Sequence, residues 1–94
     1  MEKGERGMTS KYKWVIDKDH LDMGDAGTEG PSNAATTTEN EARFRMYDDD
    51  ETLYYSGRIW GDYDGFEPLD DFGTANAGAV AIQYKNNQGQ WEYL

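Results

Sequence analysis

The stretch ARFRMYDDDETLYYSGRIW, residues 42–60, decides the fold of this chain. Ala42, Phe44 and Met46 alternate with Arg43, Arg45 and Tyr47. After four acids, Leu53, Tyr55, Gly57 and Ile59 alternate with Tyr54, Ser56, Arg58 and Trp60. Period-two alternation in β-branched and aromatic residues is the strand signature, because successive side chains of an extended backbone point to opposite faces. Residues 42–47 and 53–60 therefore read as two strands, and Asp48-Asp49-Asp50-Glu51 as the short acidic turn between them.

Three more stretches share the pattern. In residues 12–16, Tyr12, Trp14 and Ile16 alternate with Lys13 and Val15, an aromatic face against a partly basic one. In residues 79–84, Val80, Ile82 and Tyr84 oppose Ala79, Ala81 and Gln83. Residues 90–94 put Trp91 and Tyr93 on one face. Asn86-Asn87-Gln88-Gly89 joins the last two strands, with Asn and Gly supplying the left-handed conformations such turns need. Residues 17–41 and 61–78 read as loops, and Ser32 or Thr37 in the first could cap one short helical turn. No window holds a helical stripe. The expected fold is all-β: a small twisted antiparallel sheet or half-barrel of about five strands. The first strand could pair with either edge, which leaves the strand order open.

Composition agrees with a small folded domain. Ninety-four residues with 36% hydrophobic content and a mean hydropathy of −1.00 are poor in core material. The 14% aromatic content offsets this, since each ring removes roughly 150–250 Å² from water. The absence of cysteine excludes disulfides and thiolate metal sites and fits a reducing compartment. With no apolar run long enough for a signal core or a membrane span, a cytoplasmic setting in the host cell is expected. Residues 1–9 are polar and patternless, and Met8-Thr9-Ser10 reads as a second start, so a disordered extension is expected there. Residues 10–94 are then a single acidic β domain.

Charge is the second theme. The formal net charge is −10. Residues 46–75 hold nine carboxylates against one cation, Arg58, together with seven aromatic rings. Rings can fold such a segment while its carboxylates stay in water as a fixed negative surface. That surface suits a basic protein or a cation and repels nucleic acid. The basic patch of Lys11, Lys13, Arg43 and Arg45 is too small to favour direct nucleic-acid binding, which needs a basic groove around the rings.

RFRMYDDD (residues 43–50), LYYSGR (53–58), PLDDFGTANAG (68–78) and IQYKNNQGQWE (82–92) resemble segments of an uncharacterised family of small acidic proteins of actinobacteria and their phages. The resemblance runs from Tyr12 to Leu94. It implies a phage or mobile-element setting and no activity, ligand or catalytic residue. The threonine run 36–38 is shorter here than is usual in that family, which weakens the case for a helix in that loop.

The candidate sites follow from chemistry. Four adjacent acids at residues 48–51 repel one another unless something compensates them, and Arg43, Arg45 and Arg58 on the flanking strands are placed to do so. The turn reads either as a solvated hairpin tip or as a contact surface for a partner's Lys and Arg. In the second acidic loop, Asp62, Asp64, Glu67, Asp70 and Asp71 could supply oxygens to calcium, which takes roughly six to eight. The spacing departs from the EF-hand loop, because Phe66 stands where that pattern needs an acid or amide. Phe66, Leu69 and Phe72 are expected to plug into the sheet with the acids outward. Asp71-Phe72-Gly73 matches a kinase tripeptide by chance, since no phosphate loop accompanies it. His20, the single histidine, lies among Asp17, Asp19 and Asp22, which should favour its charged form, and it has no partner that marks a catalytic role. Trp14, Trp60 and Trp91 suit a core short of aliphatics. Trp60 is the best placed of them for an interface anchor.

The expectation is a non-enzymatic acidic interaction module without a cofactor, docking onto a basic protein surface. Asp48, Asp49, Asp50, Glu51, Asp62, Asp64, Asp70 and Asp71 would supply the electrostatics, and Tyr47, Trp60 and Tyr63 the anchors. In its sharper form it is a phage-type inhibitor of a host defence complex, such as a CRISPR effector. It would then cover a nucleic-acid-binding surface with carboxylates placed where phosphates would lie. A calcium-stabilised domain using the second loop, and a housekeeping domain whose acidity serves solubility alone, are the alternatives.

Overall fold

The computed structural model describes residues 9–94, so the extension expected at residues 1–9 lies, but for Thr9, outside the described residues. Six strands form one antiparallel sheet: β1 (Tyr12–Asp19), β2 (Glu29–Gly30), β3 (Ala42–Tyr47), β4 (Leu53–Gly61), β5 (Ala81–Lys85) and β6 (Trp91–Tyr93). Their order is β2-β1-β4-β3-β5-β6, and the sheet stays open instead of rolling into a barrel. Both expected hairpins are present, with Tyr47 opposite Leu53 and Lys85 opposite Trp91. The first strand pairs with β4, Trp14 opposite Ile59, which settles the order.

Alternation divides the sheet as the sequence indicates. Trp14, Ile16, Phe44, Met46, Tyr55, Ile59 and Ile82 point to one face and are buried. A helical segment covers that face, a π-helical turn at Leu69–Gly73 continuing into α1 (Thr74–Ala77). Its Phe72 ring meets Trp14 at 5.5 Å and Tyr55 at 5.1 Å, tilted and edge-on geometries that aromatic pairs favour. Gly57 is needed under this layer, because a Cβ there would collide with the Val15 carbonyl oxygen and the Phe44 ring. No described element covers the opposite face of the sheet in this way.

Several expectations are corrected. The helical turn lies at 69–77 and not near Ser32 or Thr37, where residues 34–39 have no regular structure. Pro68, with φ −63°, opens the segment, and Gly78 closes it in the left-handed conformation with φ 74°. A fixed φ at the start and a glycine at the end suit a helix. Leu69 and Phe72 plug into the sheet as expected, but Phe66 is 43% exposed, and Pro68 is buried instead. β5 begins at Ala81, leaving Val80 exposed with its N–H donating to the Tyr47 carbonyl. Finally, residues 29–30, expected in a loop, pair with Trp14 and Val15 because Gly30 lies against the Trp14 ring.

Candidate functional site

The β3–β4 turn is built around one side chain. Asp48 Oδ1 accepts the backbone N–H groups of Asp50 and Thr52, each at 2.8 Å, and Oδ2 accepts the Tyr54 hydroxyl at 3.2 Å. The Asp48 N–H donates to the Thr52 carbonyl, and the Glu51 N–H to that of Asp48. These donors hold the Asp48 carboxyl below the usual carboxylate range, with the Thr52 N–H the largest cause. Glu51 takes a left-handed φ of 65°, which turns the chain back into β4. Asp48 is thus committed to the turn, whereas Asp49, Asp50 and Glu51 are exposed and their side-chain carboxylates have no hydrogen bond or ion pair among the described residues.

The arginines expected to offset these acids lie elsewhere. Arg58 makes a bidentate pair with Asp17, at 2.7 and 2.8 Å, and Arg45 stacks on Trp91 with its guanidinium 4.0 Å from the ring centre. Register explains it: Arg43 is opposite Arg58 and Arg45 opposite Ser56, along the sheet and away from the turn.

Beside the turn, the Tyr47 and Tyr93 rings meet edge to face at 5.8 Å, with Tyr93 51% and Val80 57% exposed. Desolvation raises the Tyr93 hydroxyl pKa, and the negative charge of Glu51 adds to the shift. Tyr93 and Val80 are part of this surface and were not among the residues singled out from sequence. Tyr93 lies in a strand far along the chain, and its nearness to the turn follows from strand order alone.

The second acidic segment is largely occupied with its own folding. Glu67 accepts the N–H groups of Asp64 and Gly65 through its two oxygens, each at 2.8 Å, and Asp64 accepts that of Phe66. Asp71 Oδ2 accepts the Tyr12 hydroxyl at 2.7 Å and the Trp14 indole N–H at 3.0 Å. Asp62 and Asp70 are exposed. The calcium ligand set expected from Asp62, Asp64, Glu67, Asp70 and Asp71 does not converge. Among the described residues, the three carboxylates whose oxygens lie within 4.8 Å of one another are Asp48, Asp49 and Asp50.

Two of the three expected anchors are also engaged. Trp60 donates its indole N–H to Glu41 and lies under Lys13 and Arg58. Tyr63 donates to the Asn40 carbonyl and stacks on Tyr84 at 6.3 Å. These residues stand at the far end of β4, about 27 Å from the turn at the usual rise per residue. The two acidic loops thus stand at opposite ends of β4, and Tyr47 alone of the three anchors adjoins the β3–β4 turn. His20 is also corrected. Its pKa is lowered, by burial first and then by the positive charges of Lys18 and Arg45, which outweigh Asp19.

Fold and site together define a small, open, antiparallel sheet with one covered face and acidic loops at both ends of its longest strand. No protein-family model, curated protein or solved structure matches the chain.

Proposed function

We propose that this protein is a non-enzymatic interaction module that docks its β3–β4 turn onto a basic protein surface. One observation supports the reading above others: among the described residues the side-chain carboxylates of Asp49, Asp50 and Glu51 have no partner, while Asp48 fixes the backbone that presents them. A preorganised turn loses little conformational freedom on binding. Its charge would set association rate and salt dependence, and the exposed Tyr93 and Val80 beside it would supply apolar contact. In the sharper form of the proposal the partner is a nucleic-acid-binding protein whose phosphate sites these carboxylates occupy, as a phage-type inhibitor would. The formal charge of −10 and the resemblance to small acidic actinobacterial and phage proteins support it.

The test is a nuclear magnetic resonance titration with a tetra-arginine peptide. Saturable shifts are expected at Asp49, Asp50, Glu51 and Tyr93 at low salt, weakening steeply as ionic strength rises. A triple variant, Asp49→Asn with Asp50→Asn and Glu51→Gln, should lose them. Undiminished binding by that variant overturns the proposal. Release of a short DNA duplex from the same peptide by the wild type, and not by the triple variant, is the result expected of the sharper form.

A further inference from the structure

The face of the sheet opposite the helical segment is basic, against the sign of the whole molecule. Strand register sets Lys13, Lys18, Arg43, Arg45, Arg58 and Lys85 on it, since each is paired with, or alternates into line with, residues that point away from the core. At its centre lies a hollow of about 450 Å³ lined by Asp17, Arg43, Arg45, Ser56, Arg58 and Trp91, with the backbone of β3 and β4 as floor. A volume of this size is that of a small-ligand site.

The arrangement of the arginines is unfavourable for folding alone. Arg43 and Arg58 stand directly opposite each other across β3 and β4, and like charges so placed repel. Asp17 neutralises Arg58. Arg43 is exposed and its guanidinium has no hydrogen bond or ion pair among the described residues. Arg45 Cζ lies over the Trp91 ring, 4.0 Å from its centre, a cation–π contact that leaves its N–H groups without a hydrogen-bond acceptor among the described residues. Ser56 Oγ, already bonded to His20 Nε2 at 2.7 Å, adds a hydroxyl. The lowered pKa of His20, to which Lys18 and Arg45 contribute, agrees with a positive local field.

We propose that this hollow binds a small phosphate-bearing anion, with Arg43 and Arg45 as its principal donors. Guanidinium forks match phosphate oxygens two at a time. A long polyanion fits less well, because a strand laid along β4 would run past Asp49, Asp50 and Glu51 at one end and Asp62 at the other. A compact anion meets neither group.

The experiment is an amide, arginine side-chain and indole resonance titration of the whole chain with inorganic phosphate and with adenosine monophosphate, against sodium chloride at matched ionic strength. Saturable shifts are expected at Arg43, Arg45, Ser56 and the Trp91 indole. Arg43→Gln should weaken them roughly tenfold, the loss expected for one charge-assisted pair, without lowering the melting temperature, because it removes a charge facing Arg58. Tighter binding of the nucleotide identifies a phosphomonoester as the ligand, and equal binding identifies phosphate itself. The proposal is overturned by shifts no larger than those of chloride or by shifts that survive Arg43→Gln. It is equally overturned by ligand-free, concentration-dependent shifts linking Arg43 to Asp49, Asp50 and Glu51, since a second copy's acidic turn would then fill the hollow.

Discussion

The Trp14 indole N–H donates to the Asp71 carboxylate at 3.0 Å, so an acid expected to face a partner is the clasp between the helical segment and β1. The same oxygen accepts the Tyr12 hydroxyl. Asp71→Ala removes both bonds and leaves the indole N–H of a buried tryptophan without an acceptor. It should lower unfolding free energy by about 1–3 kcal/mol. Asp70→Ala, at the exposed neighbouring position, should stay within about 0.5 kcal/mol of the wild type. Urea denaturation of the two variants distinguishes a clasp from surface charge. Equal effects would contradict the assignment.

Asp48 and Asp19 hold loops together in the same manner, each by accepting several backbone N–H groups. Hydrogen bonds to the charged form hold both carboxyls below the ordinary carboxylate range, the largest cause being the Asp25 N–H for Asp19 and the Thr52 N–H for Asp48. A depressed folded pKa contributes stability that is fully present above the unfolded value, about 3.9. The contribution is lost as pH falls from there through the folded value. Asn at position 48 keeps an acceptor but cannot titrate. Wild type and Asp48→Asn should therefore differ most at neutral pH, and the gap should narrow as pH falls below the unfolded value. Melting temperatures followed from pH 7 downward check this, and a gap that does not narrow counts against it.

The partition into core and surface was legible because period-two alternation is a local property. Phe44, Met46, Tyr55 and Ile59 are buried where the pattern places them. What each carboxylate does was not legible. Asp71 and Tyr12 are 59 residues apart, and nothing local distinguishes Asp71 from Asp70. The pairing of residues 29–30 was equally hidden, since it depends on Gly30 fitting against a tryptophan from another strand. By contrast, the helical segment had local signals in Pro68 and Gly78, outweighed by the acids and glycines that suggested a loop. The basic face could not be counted from composition, because strand register brings Arg58 and Lys85 to the same side as Arg43 and Arg45.

Gln83 stands between Arg45 and Tyr93 in the sheet, and its buried side-chain oxygen has no hydrogen-bond partner among the described residues. A buried acceptor left unpaired costs free energy that an apolar side chain of similar shape does not. Gln83→Met should therefore raise stability by about 1 kcal/mol. Thermal and urea unfolding read the change directly, and a loss of stability would show that the amide is satisfied in solution.

Tyr84 sets the opposite limit on stability. Burial raises its hydroxyl pKa far above the usual value, and the negative charge of Glu67 adds to the shift. Tyr12 and Tyr55 are raised too, by desolvation first and then by the hydrogen bonds they donate to Asp71 and Asp25. A raised folded pKa contributes stability that is fully present below the unfolded value, about 10. Above that pH the unfolded chain releases these protons and the folded chain keeps them, so stability falls as pH climbs. Tyr84→Phe loses the hydrogen bond to the Gly65 carbonyl, at a cost of about 1 kcal/mol at neutral pH. In exchange, one titrating group leaves the alkaline limb. Its stability should decline less steeply than that of the wild type between about pH 9.5 and 11.5, a difference that urea denaturation across that range would resolve. Parallel slopes would mean that Tyr84 ionises as readily in the folded chain as in the unfolded one.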